Sequence, residues 1–184
     1  RGNSSTGLLW RLDGVEIPNP NHFAASGTTG GPITILNNNL LTNSDFMTGA
    51  FPAEYENALA GVFVLNLRPG NNEKREHWME FGYNGLEFGT EGPFGKKTNA
   101  SYLITYRYSL VDIIDLLGAA VETTKYQDLT FKLNFPLKKG RLSFIGMGGT
   151  SYIEMFDSND DQTDWTFDNW GEVLSNGSNI GSLA

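Results

Sequence analysis

From residue 76 onward, apolar and polar side chains alternate at a period of two, segment after segment. Residues 76–83 set His77, Met79, Phe81 and Tyr83 against Glu80. Residues 86–92 set Leu86 and Phe88 against Glu87 and Glu91. In 101–111, Tyr102, Ile104, Tyr106, Tyr108 and Leu110 oppose Thr105, Arg107 and Ser109. In 128–135, Leu129, Phe131, Leu133 and Phe135 oppose Asp128, Thr130, Lys132 and Asn134. The fifth segment, 141–154, is less regular; Leu142 and Phe144 oppose Arg141 and Ser143. Side chains two apart share a face only in an extended strand. These five segments therefore predict antiparallel strands with one face in an apolar medium and the other in a polar one.

The connections carry a second signal. Residues 93–99 and 136–140 are short links, whereas 112–127 and 156–184 are long. Alternating short and long loops between antiparallel strands is the pattern of outer-membrane barrels. Asn84-Gly85 departs from it, being tight where a long loop is due. A soluble β-sandwich gives the same alternation, facing a dry core. Alternation alone favours the sandwich, because soluble sheets are commoner. The loop lengths and the charged opposite face weigh the other way, and both architectures stay open at this point.

The first 70 residues have a different texture. Residues 8–17 (LLWRLDGVEI) read as two short strands turning at Asp13-Gly14, a strong hairpin signal. Residues 18–32 form a loop rich in Pro, Asn, Gly and Thr. Residues 33–41 have helical spacing of Ile33, Leu36, Leu40 and Leu41, 45–47 read as a strand, 53–60 as a helical turn, and 61–68 (GVFVLNLR) as a strand ended by Pro69-Gly70-Asn71-Asn72.

Composition narrows the function classes. Aromatic residues make up 12% and there are 22 glycines, which suits an all-β chain with tight bends. No apolar stretch reaches the roughly 20 residues a membrane helix needs, but a membrane strand needs only about 9–11. The net charge of -8 argues against a nucleic-acid partner, which requires Lys/Arg clusters. With zero cysteines there are no disulfides, thiol nucleophiles or Cys-zinc sites. Arg1 opens inside a polar motif with no initiator Met or leader, so the chain is expected to be an internal piece of a longer one.

The candidate chemistry is sparse. His22 and His77 are the two histidines, and neither sits in a zinc-spaced set. No G-x-S-x-G elbow accompanies the serines, so a secreted hydrolase has no constellation to stand on. Glu87 and Glu91 share a sheet face, where a carboxylate pair more often lines a wet lumen than cleaves a glycosidic bond. Asp157, Asn159, Asp161, Thr163 and Asp168 have calcium-loop-like spacing, but Gln162 stands where glycine is needed and the last ligand is Asp. A solvated loop is the expectation there, with no metal and no cofactor. Trp165, Phe167 and Trp170 are read as packing that loop down, and 112–120 (DIIDLLGAA) as a short amphipathic cap.

Several motifs together resemble a known family. Arg1-Gly2-Asn3, then Leu12-Asp13-Gly14-Val15, then Gly49-Ala50-Phe51-Pro52-Ala53-Glu54-Tyr55, then Ala60-Gly61-Val62-Phe63 and Leu67-Arg68-Pro69-Gly70-Asn71 look like the plug of TonB-dependent outer-membrane receptors. Residues 82–95, ending Glu91-Gly92-Pro93-Phe94, resemble the first barrel hairpin of that family. Asn37-Asn38-Asn39 and Gly70-Asn71-Asn72-Glu73-Lys74 are similar to receptors of Bacteroidetes-type bacteria. The resemblance covers roughly residues 1–147.

The resemblance implies a mainly β chain: the C-terminal part of a small mixed α/β plug domain over 1–72, then about five antiparallel strands of an incomplete transmembrane β-barrel over 73–184. The family's barrel has about 22 strands. It implies the outer membrane of a Gram-negative bacterium, import of a scarce solute, and energy from the inner-membrane TonB complex acting on a segment before the plug. It implies no covalent chemistry. Expected partners are TonB, outer-membrane lipid, an unknown solute and a surface lipoprotein, with no nucleic acid. Apical plug loops face the solute in this family, which points to Asn3, Ser4 and Ser5 and to Asn21, His22 and Phe23. Arg1 resembles a plug arginine that pairs with barrel carboxylates; the family's second such arginine is replaced here by Thr48. The competing class is a soluble carbohydrate-binding β-sandwich module.

Overall fold

A computed structural model describes residues 7–18, 20–23, 31, 33–56, 58–82, 85–95, 99–109, 122–155 and 174–183. The fold is mainly β, and most strand pairs are antiparallel.

The N-terminal unit is a small mixed sheet. Strands β1 (Leu8–Leu12), β2 (Val15–Ile17), β5 (Asp45–Met47) and β6 (Gly61–Leu65) lie in the order β2-β1-β6-β5. The β1–β6 pair is parallel and the others antiparallel. The β1–β2 hairpin turns at Asp13-Gly14, both at positive φ (48° and 86°), as the tight hairpin requires. Trp10, Phe63 and Phe46 face one another across three strands and stack, with centroids 4.1 and 4.2 Å apart. A separate pair, β3 (Asn21–His22) and β4 (Ile33–Thr34), follows.

Two helical expectations are corrected. Residues 33–41 hold β4, an extended stretch and one 3-10 turn, Asn38–Leu40. The Thr34 hydroxyl accepts from the Leu36 amide, and the Asn37 side chain accepts from the Asn39 amide. These local bonds give the backbone an alternative to a helical ladder. Among the described residues of 53–60 there are turns, Tyr55 N–H to Pro52 O and Ala58 N–H to Tyr55 O, and no helix.

The second unit is a six-stranded antiparallel sheet in sequential order: β7 (Glu76–Gly82), β8 (Gly85–Pro93), β9 (Ser101–Tyr108), β10 (Glu122–Leu137), β11 (Gly140–Met155) and β12 (Leu174–Leu183). The sequence yielded five of these. Strand β12 falls where the Asn/Gly/Ser-rich tail predicted a loop, and it pairs with β11 from Leu183↔Gly146 to Leu174↔Met155. Strand β10 also begins earlier than the apolar pattern does, so part of the expected 112–127 loop is strand. Residues 112–120 and the acidic 157–168 stretch, with Trp165, Phe167 and Trp170, lie outside the described residues.

The two units share one core. Leu12, Ile17, Ile35, Leu36, Leu40, Leu65 and Leu67 of the small unit pack with Leu103, Ile145 and Met147 of the large sheet. The large sheet therefore covers the small unit with the face that also carries Glu91, Thr105, Asp128, Thr130, Lys132 and Asn134, all buried. Its other face is bare: Met79, Phe81, Phe88, Tyr106, Tyr108, Leu129, Leu142 and Phe144 are exposed.

Candidate functional site

The strand register sorts the covered face into cross-strand rows. Of the three central rows, the one toward the β10–β11 turn sets Ile145, Lys132, Leu103, Glu91 and Glu76 side by side on β11 to β7. Next comes a neutral row of Met147, Thr130, Thr105, Gly89 and Trp78. The third row, nearer the Gly85 end, is Gly149, Asp128, Arg107, Glu87 and Glu80. Two charged rows thus face the small unit, separated by a neutral one.

The first charged row is matched by counter-charge. Lys132 is 3% exposed, and its Nζ donates to Asp13 Oδ2 and to the Leu67 carbonyl, both at 2.6 Å. The other Asp13 oxygen accepts from the Leu67 amide at 3.0 Å, so the hairpin turn and the segment just after β6 are tied to β10 at one point. Arg68 binds Glu91 through two parallel bonds of 2.7 and 2.8 Å, and the Asn71 amide adds a third donor at 2.7 Å. Such forked pairing fixes orientation as well as charge. Glu76, opposite Glu91, accepts from Asn71 Nδ2 and pairs with Lys74 at 2.6 Å. That hydrogen bond holds the Lys74 ammonium above the usual lysine range. Gly70 is required here: a Cβ would run into the Tyr102 carbonyl of β9. Glu91 was expected to line a wet lumen, but it is buried against Arg68.

The second charged row meets β3, β4 and the asparagine run. Asp128, 3% exposed, accepts from Arg107 Nε and Nη2 and contacts His22 Nε2 at 3.0 Å. Arg107 Nη2 also donates to the Thr34 carbonyl at 2.6 Å. One carboxylate therefore ties β3 and, through Arg107, β4 to the large sheet. His22 fits because Gly149 stands opposite Asp128; a Cβ there would lie 2.8 Å from the His22 ring.

Of the sequence-predicted solute residues, His22 is fully buried in this lock. Phe23, at φ 57°, sets its ring edge-on to Tyr126 at 6.5 Å, and Asn21 pairs with Thr34 in the β3–β4 ladder. Arg1, Asn3, Ser4 and Ser5 lie outside the described residues. His77 is exposed on the bare face, beside Phe88. Thr48 is exposed. The sequence reading did not single out Arg68, Asp13, Lys132, Arg107 or Asp128 as a seam. Its available signal was charge on the covered side of the alternation, since a buried charge needs a partner.

Beside the second row lies a cleft of about 540 Å³. The small unit supplies Thr34, Asn37, Asn38 and Asn39, and the sheet supplies Glu80, Glu87, Arg107 and Tyr126. Asn39 Nδ2 reaches both Glu80 at 3.0 Å and Glu87 at 3.2 Å, and Trp78 Nε1 donates to Glu87 at 3.1 Å. Cavities of this size commonly accept small ligands. Among the described residues, no group of three or more His, Cys, Asp or Glu gathers as a metal site, and no helix is long and apolar enough to cross a membrane. No family model, curated protein or solved structure matches the chain.

Proposed function

We propose that the chain belongs to a TonB-dependent outer-membrane transporter, with the small unit as the end of its plug and the large sheet as the first strands of its barrel wall. The observation that carries this reading is the inverted polarity of the large sheet. Its buried face holds Asp128, Lys132, Glu91 and Asn134, while its bare face holds Leu129, Leu142, Phe144, Phe88 and Phe81. A sheet folded for water does the reverse, because each large apolar side chain left in water forgoes about 1.5–3 kcal/mol. A plugged barrel in lipid calls for this polarity: charged residues toward the plug, apolar ones toward acyl chains. The sandwich alternative requires the opposite placement.

Two further features support the reading. On β10 the outward apolar run, Leu129 to Phe135, is flanked toward the Gly85 end by Gln127, which sits beside Tyr108 and Thr150. Tyr106 also bonds Gln127 there. A polar and tyrosine-rich girdle at one border of an apolar band suits a membrane interface. Strands β10 and β11 have 16 residues each, more than the about 9–11 a tilted strand needs to cross. In this reading further strands pair with the free edges of β7 and β12, because lipid tolerates no open edge.

The proposed mechanism is mechanical. A solute binds at the outer side of the plug seam, and TonB pulls on a segment preceding it. The work is done on the contacts that tie the small unit to the wall. Expression of the full-length gene product tests this directly. It should sediment with outer membranes and bind the purified periplasmic domain of TonB. Recovery in the soluble fraction without TonB binding would sink the proposal.

A further inference from the structure

Glu80 and Glu87 face each other directly across β7 and β8. Like charges in that position repel. The equivalent acidic pair four residues along each strand, Glu76 and Glu91, is neutralised by Lys74 and Arg68. Glu80 and Glu87 receive only the neutral donors Asn39 Nδ2 and Trp78 Nε1 among the described residues. Arg107 stands next to Glu87 in the row, but its Nε and Nη2 are bonded to Asp128 and the Thr34 carbonyl, and it forms no ion pair with Glu87 among the described residues. A second, independent feature lies in the same cleft wall. Asn37 is 5% exposed, and its Nδ2 has no hydrogen-bond partner, although its Oδ1 accepts from the Asn39 amide. An unpaired buried amide donor is costly. The cleft therefore holds surplus negative charge beside an unused donor.

Resting on the transporter reading, we propose that this cleft selects a primary ammonium group with an oxygen acceptor on the neighbouring carbon. Glu80 and Glu87 take the ammonium, which brings the positive charge the pair lacks. Asn39, released from the two carboxylates, and Asn37 donate to the oxygen. Two kinds of solute carry this grouping: the amino terminus of a short peptide and a 2-amino sugar. Both fit a cleft of about 540 Å³.

The test is calorimetric titration of the full-length gene product in detergent micelles. The probes are trialanine, N-acetyl-trialanine, glucosamine, N-acetylglucosamine and calcium chloride. A free amine should bind, and its acetylated counterpart about tenfold or more weaker, as expected for loss of a charge-assisted hydrogen bond. Binding of trialanine alone assigns peptides, and binding of glucosamine alone assigns amino sugars. Glu80→Gln and Glu87→Gln should each weaken the amine by a similar factor while the protein unfolds at an unchanged or higher temperature. Asn37→Ser keeps a capping oxygen, removes Nδ2 and should weaken it too. Equal binding of free and acetylated probes, no binding of either amine, or binding of calcium alone through Glu80 and Glu87 overturns the inference. Those outcomes leave outer-membrane sedimentation and TonB binding untouched, so failure of this inference and failure of the transporter reading are told apart.

Discussion

Glu76 stands opposite Glu91, and four residues along each strand Glu80 stands opposite Glu87. Both pairs lie on the covered side of the large sheet, and both meet the small unit. The first pair is held by Arg68, Lys74 and Asn71. The second meets two neutral donors and opens on a cleft. The difference separates two uses of buried charge. Where each charge has a partner and its remaining oxygens are hydrogen-bonded, the row fastens one unit to the other. Where acid outnumbers base, the row is poised for something absent from the chain itself.

Removing a fastener should have the largest effect. Lys132→Met leaves Asp13 and the Leu67 carbonyl without their donor, and breaking a buried pair in this way costs about 3–5 kcal/mol. Urea unfolding in micelles measures it, and Asp13→Asn on that background should add little, since the pair is already broken. Next comes Glu91→Gln, which gives up a charge-assisted fork and should cost about 1.5–3 kcal/mol in the same assay. Gly149→Ala tests the His22 lock by crowding. Its Cβ would meet the Gln127 carbonyl at 2.7 Å and the His22 ring at 2.8 Å, and overpacking of this kind costs about 1–3 kcal/mol. The smallest effect has the opposite sign. Glu87→Gln should leave stability unchanged or raise it by about 0.2–1 kcal/mol, because it relieves a cross-strand repulsion. If Glu87→Gln destabilises as much as Glu91→Gln, the contrast between the rows is gone.

Much of the large sheet was legible because its alternation is a physical requirement: one face meets apolar surroundings and the other does not. The alternation located five strands but not β12, whose sequence LSNGSNIGSL has too few apolar residues to show a period; the β11 ladder specifies it instead. Asp13-Gly14 announced its turn correctly, since the positive φ at both positions is a local property. The 33–41 stretch misled because helical spacing of Ile33, Leu36 and Leu40 coincides with burial of an extended segment whose Thr34 and Asn37 side chains cap their own backbone. The seam was illegible for another reason. Asp13 and Lys132 are 119 residues apart, and His22 and Asp128 are 106 apart. Sequence shows that Lys132 needs a partner, but only the fold identifies it. His22 looked like an exposed loop residue because the Gly149 notch that accommodates it lies on a distant strand.

The central claim is that the bare face of the large sheet meets lipid while the charged face meets the plug. The stretch has no cysteine of its own, so in a cysteine-free form of the full-length gene product single cysteines can be introduced one at a time along β10 at positions 129, 130, 131, 133 and 134. Each is labelled with an environment-sensitive dye, and the protein is placed in vesicles containing brominated acyl chains. Dyes at 129, 131 and 133 should emit to the blue and be quenched by the brominated lipid, while those at 130 and 134 should not be quenched. Equal quenching at all five positions, or water-like emission at 129, 131 and 133, would contradict the account.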